Sequence, residues 1–111
     1  MSEFHDIAAS QEIPPGQMRR YVIAGRNIAI VHTSERFFAL DDGCPHRGGP
    51  LSEGDLIGCE IVCPWHFWSF DLQTGRHTGG SKFAVVTHEI RVENDRVLVR
   101  LSPPAEPVWM V

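Results

Sequence analysis

The feature that most constrains this chain is a pair of short runs in which a cysteine and a histidine stand close together. The first run has one residue between Cys44 and His46, the second has two between Cys63 and His66, and sixteen residues separate the runs. Each cysteine is followed by a proline, which fixes φ and donates no N–H, so each loop is stiffened beside its thiol. Two thiols and two imidazoles carried by two short loops predict a site for a metal ion or cluster.

Three interpretations of these runs compete. Core cysteines with unrelated histidines are disfavoured, because four such residues in two matched runs rarely arise by accident. Two cysteines and two histidines also satisfy tetrahedral zinc, although the usual zinc finger places both cysteines before both histidines. A Rieske [2Fe–2S] cluster has one iron held by two thiolates and the other by two imidazoles. One Cys-His pair from each loop meets that requirement, and the order of the ligands favours it over zinc.

Bulk properties limit the class of protein. A length of 111 residues suits one domain with a real core. The net charge of −4 disfavours nucleic acids and anionic membranes as partners. The chain has no apolar run near the roughly 20 residues of a membrane span, and its first ten residues lack the features of a secretory signal. Three cysteines argue against a disulfide framework. We therefore expect a cytoplasmic protein.

Short β segments joined by tight turns dominate the pattern. Strands are predicted at 17–23, 28–32, 37–40, 60–62, 86–92 and 97–101. Turns are predicted at 25–27 and 33–36, and a glycine-flanked bend at 54–58. Asn94 and Asp95 tolerate positive φ and predict a two-residue hairpin turn. No window has a convincing helical period, so the fold class is all-β.

The motifs resemble those of Rieske-type [2Fe–2S] ferredoxins, a group that includes ferredoxin components of ring-hydroxylating oxygenases and relatives that resemble nitrite reductase small subunits. They are Cys-Pro-His-Arg-Gly with Pro-Leu-Ser-Glu-Gly, then Val-Cys-Pro-Trp-His, then Phe-Asp-Leu-x-Thr-Gly, and they cover the middle third of the chain. By this resemblance Cys44 and Cys63 bind the inner iron of one cluster. His46 and His66 bind the outer iron near the surface, where the electron enters and leaves.

The resemblance also implies an architecture and a role. We expect one Rieske domain over residues 1–111, with an antiparallel β sandwich or barrel base formed by about 1–42 and 76–111 and a cluster-binding subdomain at about 43–75 inserted in it. The implied function is that of a soluble one-electron carrier between a flavin-dependent reductase and a terminal oxygenase, a component of an oxidoreductase system and not an enzyme by itself. The alternatives are the small subunit of an NAD(P)H-dependent nitrite reductase and a zinc-stabilised binding module.

Several positions depart from parts of the family. Gly49 and Trp65 stand where respiratory Rieske proteins have a disulfide that ties the two loops, and Trp68 and Phe70 replace a serine and a tyrosine that hydrogen-bond the cluster region. Loss of those donors predicts a reduction potential toward the lower end of the Rieske range of about −150 to +300 mV. Phe67 stands where glycine is common, so the second loop is expected to differ in backbone geometry.

Three further features have open interpretations. Five acids and one base, Arg47, lie between residues 41 and 62; they form either a solvated face or an acidic rim that steers the chain to a basic partner. Cys59 is predicted to be a small buried hydrophobe. The proline-rich tail, 102–111, is expected to be extended.

Overall fold

The computed structural model describes residues 3–34, 36–45, 48–65 and 67–104. Regular structure in these ranges is almost all β, with two single 3₁₀ turns at Ser10–Glu12 and Leu51–Glu53. The strands are β1 Phe4–Ala9, β2 Gln17–Ile23, β3 Arg26–His32, β4 Phe37–Asp41, β5 Asp55–Ile57, β6 Glu60–Val62, β7 Ser69–Asp71, β8 Thr87–Glu93 and β9 Arg96–Arg100.

Six strands form one curled antiparallel sheet in the order β1-β9-β8-β4-β3-β2. Strands β2, β3 and β4 follow one another as hairpins, and β8 then pairs with β4 on its other side. The first strand returns to the far edge, where it pairs with β9 near the other end of the chain. The expected all-β fold is confirmed.

The three short strands β5, β6 and β7 form a second antiparallel sheet. They lie in the sequence between β4 and β8, two strands that are neighbours in the large sheet. The chain therefore leaves the large sheet after β4, forms the small sheet, and returns to the large sheet at β8. The division into a base and a subdomain inserted at about 43–75 stays a prediction.

Strand β3 is buried on both faces and separates two apolar clusters. Ile28 and Ile30 contribute to a cluster that also contains Val97 and Val99 of β9. The alternate residues Ala29 and Val31 belong to the other cluster, which includes, from outside the large sheet, Cys44, Leu51, Ile61, Cys63, Phe70, Leu72 and Val85. Because successive side chains of a strand point to opposite faces, one interior strand supports both the base and the region of the two cysteines.

The strand predictions are confirmed for most elements, with shifted ends. Strands β2 and β6 have the predicted bounds, and Asn94 and Asp95 take the positive φ values of 51° and 62° expected of the hairpin turn. Three strands were not among those predicted: β1 at the start of the described chain, β5 within the predicted bend, and β7, where residues 70–75 were expected to form only a strand end and a turn. The turn predicted at 25–27 was placed too late, because it consists of residues 24 and 25 and β3 begins at residue 26.

Candidate metal-cluster site

The two cysteine loops have the same backbone hydrogen-bond pattern. The Cys44 amide donates to the Gly49 carbonyl at 2.9 Å, and the Cys44 carbonyl accepts from the Gly48 amide at 2.6 Å. In the second loop the Cys63 amide donates to the Trp68 carbonyl at 2.8 Å, and the Cys63 carbonyl accepts from the Phe67 amide at 3.0 Å. Each cysteine is thus held at the base of a closed loop, five residues from one partner and four from the other. The intervening residues, including the two predicted histidine ligands, are the tip of each loop in sequence.

The fourth residue after each cysteine takes a left-handed backbone conformation. Gly48 has a φ of 79° and Phe67 a φ of 61°. Glycine adopts this conformation at no steric cost, whereas an ordinary side chain costs about 1–2 kcal/mol there. Phe67 thus takes the left-handed conformation that glycine adopts readily, and the expectation that the second loop differs in geometry from that of the family stays a prediction.

Both thiols are buried, and the second lies beside the first loop. Cys44 is 3% exposed and Cys63 is fully buried, and both belong to the same apolar cluster. A Cβ placed on Gly49 of the first loop would lie 2.9 Å from Cys63 Sγ and 2.9 Å from Cδ2 of Trp65. The loops therefore meet where Gly49 leaves room for the second thiol and for an indole ring. Two buried thiols on loops that meet are the donors that one iron of a Rieske cluster needs, so the described residues fit a cluster of this type.

The complete ligand set stays a prediction. No group of three or more His, Cys, Asp or Glu side chains converges among the described residues. The two histidines of the predicted set, His46 and His66, and the base Arg47 lie outside the described ranges. The structure thus brings Cys44 and Cys63 together at two matched loops, and the histidine half of the site rests on the sequence.

Asp42 anchors the first loop and does not contribute to a solvated face. Its side chain is buried, its Oδ1 accepts from the Ser52 amide at 2.7 Å, and its carbonyl accepts from the Leu51 amide at 2.7 Å. The guanidinium of Arg20 lies 3.8 Å from its other oxygen. Leu51 is fully buried in the cluster that contains the two cysteines. Asp42 therefore fixes the return of the first loop against the base.

The side chain of Asp41 points away from that of Asp42 and takes part in a second hydrogen-bond network. Its Oδ1 lies 2.8 Å from Nε2 of His88 and 3.2 Å from Nη2 of Arg26. The Ser102 amide donates to Nδ1 of His88 at 2.9 Å, and the Ser102 carbonyl accepts from Arg26 at 2.6 Å. Since Nδ1 accepts, His88 carries its proton on Nε2 and donates to Asp41. Asp41 and Asp42 thus bind groups within the protein. The remaining three acids of the five, Glu53, Asp55 and Glu60, form either a solvated face or an acidic rim for a basic partner.

A third segment packs on the second loop through His77. The His77 ring stacks on Trp68, with centroids 4.0 Å apart and planes 8° from parallel. The Ser81 amide donates to Nδ1 of His77 at 3.3 Å, and Ser81 Oγ lies 2.6 Å from the same nitrogen. A Cβ on Gly79 would come within 2.8 Å of the imidazole, so the glycine is needed for the chain to fold over the ring. No local pattern in the sequence predicts this stack, because it depends on a chain reversal that brings His77 onto the second loop.

One of the minor sequence predictions has a clear outcome. Cys59 is exposed at the turn between β5 and β6, so the prediction that it is buried was wrong. That turn lies at the end of the small sheet away from the loops, where its side chains meet solvent. The tail prediction falls in part on residues 105–111, which lie outside the described ranges.

Comparison with known proteins agrees with this geometry. The chain belongs to the Rieske [2Fe–2S] domain family, whose model matches residues 3–94. It is 33% identical over 98 residues to the ferredoxin component of the naphthalene 1,2-dioxygenase system of Pseudomonas aeruginosa, covering 87% of this chain and 94% of that one. The family binds a [2Fe–2S] cluster through two cysteines and two histidines, so the zinc interpretation is set aside.

Solved structures give the same fold. The ferredoxin of carbazole 1,9a-dioxygenase from Nocardioides aromaticivorans IC177 superposes with a TM-score of 0.82 at 25% identity, covering 88% of this chain and 97% of that one. A protein assigned as the NADH-dependent nitrite reductase small subunit of Mycobacterium tuberculosis has a TM-score of 0.85 at 17% identity, covering 94% and 99%. The second likeness concerns the fold alone. Among the described residues, no helix has the length and apolar character needed to cross a membrane.

Proposed function

We propose that this chain is a one-electron carrier whose [2Fe–2S] cluster is bound by Cys44 and Cys63 on one iron and by His46 and His66 on the other. The observation that carries the proposal is the pair of matched loops, each closed by the same two backbone hydrogen bonds around a buried cysteine. Each loop has its histidine within the enclosed residues. Two such loops in contact supply one thiolate and one imidazole each, which is the donor set of the family.

The residues of this chain bury and orient the thiolates. The apolar cluster around Cys44 and Cys63 excludes water, Asp42 holds the first loop to the base, and Trp68 packs the second loop against the segment that contains His77. When bound, the cluster supplies a centre that accepts and releases one electron. To act as a carrier, the chain needs one protein that donates the electron and another that accepts it.

We propose further that the donor is a flavin-dependent reductase and the acceptor a terminal oxygenase of a ring-hydroxylating system, in the cytoplasm. The support is the relative named above, a ferredoxin component of a dioxygenase system, which matches over 94% of its own length. By the same likeness, the chain is proposed to be a component of the system and not its catalyst. The nitrite reductase alternative has no observation that favours it beyond a shared fold.

The test is reconstitution with purified components. The chain is expected to bind two irons and two sulfides, to be reddish brown, and to give a rhombic EPR signal on reduction. Cys44→Ser and His66→Ala are each expected to abolish that signal, and Cys59→Ser, which replaces the exposed thiol, is the matched control and keeps it. Oxygenase turnover that depends on reductase, NADH and the chain together supports the carrier role. A colourless chain that holds zinc, or turnover at the same rate without the chain, contradicts it.

A further inference from the structure

The six-stranded sheet does not close on itself, because its two terminal strands do not pair with each other. Its order begins with β1 and ends with β2, and within the described ranges neither strand has a partner on its outer side. A cavity of about 310 Å³ lies between these strands, lined by residues 5–7 on one side and 21–24 on the other. The main-chain N–H and C=O groups along such free edges are open to pairing with a further strand.

The direction of the main-chain groups of β2 follows from its hairpin with β3. The two strands are joined by a two-residue turn at 24–25, where both φ values are positive. The residues that flank a turn of this type exchange both hydrogen bonds, so Ile23 bonds to β3. Because bonding alternates along an antiparallel strand, the N–H and C=O groups of Met18, Arg20 and Val22 point away from β3. These three residues form the free edge of β2.

The edge of β1 is blunted, whereas the edge of β2 is regular. The register between β1 and β9 shifts between Asp6 and Ala8, and a bulge of this kind disrupts an edge for further pairing. The Asp6 carboxylate is also bound by the guanidinium of Arg96. In contrast, β2 pairs with β3 over its seven residues without a shift, and Val22 near its end is 70% exposed. A further strand is therefore expected at β2.

Two adjacent cations lie on β2. Arg19 and Arg20 are both exposed, and as neighbours on a strand their side chains point to opposite faces. Among the described residues Arg19 has no ion pair, and the carboxylate of Asp42 lies 3.8 Å from Arg20, whose side chain is 49% exposed. Opposite charges on paired strands stabilise the pairing. A strand that places two adjacent acids beside these arginines and an apolar residue beside Val22 is therefore complementary to the edge.

The same arginines disfavour a second copy of this chain as the added strand. Antiparallel pairing of two β2 strands over their full length is centred on residue 20, the middle residue of Gln17–Ile23. The Arg20 side chains of the two copies would then lie directly opposite each other, and like charges in that position destabilise a strand pair. The edge is thus protected against self-association but open to an acidic segment.

We propose that the free edge of β2 binds an extended segment of another protein that has two adjacent acidic residues and adds to the sheet as a seventh strand. Strand addition of this kind obtains affinity from main-chain hydrogen bonds and specificity from the side chains that alternate along the segment. The bonds are made by Met18, Arg20 and Val22, and the two acids pair with Arg19 and Arg20. The site belongs to the large sheet and uses neither cysteine loop, so it goes beyond the proposed electron-carrier function.

The test uses a synthetic probe, a cyclised hairpin peptide whose outer strand reads Val-Thr-Glu-Glu-Val. In antiparallel pairing its glutamates lie opposite Arg20 and Arg19, and its first valine lies opposite Val22. Cyclisation holds the strand extended and lowers the entropic cost of binding. Fluorescence anisotropy with the purified holoprotein is expected to give a Kd of about 1 mM or lower at low ionic strength, rising as salt screens the charges. The same peptide with two lysines in place of the glutamates is expected to show no binding.

Proline and threonine at position 22 separate main-chain pairing from side-chain contact. Val22→Pro removes an N–H that points outward and leaves the bonds to β3 intact, and proline is tolerated at such edge positions. It is expected to weaken binding by about tenfold or more, whereas Val22→Thr keeps the donor and the branched shape and stays within about threefold of wild type.

Charge variants provide a second, independent measurement. Arg19→Gln combined with Arg20→Gln is expected to raise the Kd about tenfold at low ionic strength and to have a much smaller effect at high salt. Arg76→Gln combined with Lys82→Gln removes two exposed cations outside the large sheet, so it is the matched control and stays within about twofold of wild type. Because all four side chains are exposed, this comparison decides the question even where the proline variant is less stable.

The outcomes support or overturn the docking edge. Binding of the acidic probe that Val22→Pro and the arginine double variant each weaken, with both controls close to wild type, supports it. Failure of the probe to bind, or equal binding by Val22→Pro and Val22→Thr, contradicts it, and arginines that only protect the edge predict that failure. A wild-type dimer that Val22→Pro converts to a monomer in size-exclusion chromatography assigns the edge to a second copy and also contradicts it. None of these measurements involves electron transfer, so the carrier function is tested separately.

Discussion

A methyl group added at Gly49 is expected to disrupt the contact between the two cysteine loops. Its carbon would lie 2.9 Å from Cys63 Sγ and 2.9 Å from the Trp65 ring, closer than such atoms are found in proteins. The indole is largely exposed and can move, but the thiol is fully buried and short, so the loops must separate. Forced overpacking of this kind costs about 1–3 kcal/mol. We therefore expect Gly49→Ala to destabilise the protein and to weaken retention of iron.

Gly43 provides the matched control at the start of the same loop. A Cβ there meets nothing within 4 Å, and neither glycine has a positive φ. Replacing either glycine by alanine restricts the unfolded chain equally, a gain of about 0.4–1 kcal/mol that cancels in the comparison. The difference in stability between the two variants therefore measures the cost of the steric clash at Gly49.

The assay compares thermal unfolding of the two holoproteins at one scan rate, together with iron per chain and visible absorption. A difference of about 1–3 kcal/mol corresponds to a melting temperature lower by roughly 4–15 °C for a domain of this size. Gly43→Ala is expected to stay close to wild type in all three measurements. Equal melting temperatures and equal iron content for the two variants would refute the contact between the loops as described.

Four further outcomes are expected. Asp42→Ala leaves the Ser52 amide without its acceptor and should lower the free energy of unfolding in denaturant by about 1–3 kcal/mol, whereas Asp42→Asn keeps an acceptor oxygen and should cost less. His77→Asn keeps an acceptor for Ser81 but loses the ring that stacks on tryptophan, and by the same measurement should cost about 1 kcal/mol. Burial and, second to it, the charge of Glu12 raise the pKa of Tyr21. The stability that the neutral phenol contributes is therefore complete below about pH 10 and is lost at higher pH. Tyr21→Phe should flatten the fall of the melting temperature above about pH 10, and an unchanged slope would contradict this. A redox titration should place the midpoint toward the lower end of the range of about −150 to +300 mV, and a value near the top would contradict the loss of hydroxyl donors.

Local chemistry made much of the fold predictable. Turn residues on both sides delimit β2, and the Asn94–Asp95 turn has the residues that its backbone requires. Strand β1 was missed because its pairing partner, β9, lies some ninety residues away, so no local pattern marks it as a strand. Strand β5 was missed because a strand of three residues between two glycines has too few positions to establish alternation.

The residue types of the candidate site could be predicted from the sequence, but the contacts that hold its two loops in place could not. The spacing of Cys44 and Cys63 with their prolines indicated two matched loops, and the structure brings those loops together. The inward role of Asp42 and the stack on His77 could not be predicted, because both depend on contacts between segments far apart in sequence. Cys59 was misjudged since composition says that cysteine is usually buried, while only the sheet shows which end of a hairpin meets solvent.

The opposed anchoring of Asp41 and Asp42 has a consequence for the speed of electron exchange. The first carboxylate is held by His88 and Arg26 on one side of the chain, and the second holds Ser52 on the other, only two residues before Cys44. Because the residues that precede the first loop are fixed in this way, we expect the loop to relax little when a cluster bound in it gains one electron. Little nuclear rearrangement then separates the oxidised and reduced states, and a small reorganisation energy allows fast transfer even when the driving force between carrier and partner is slight.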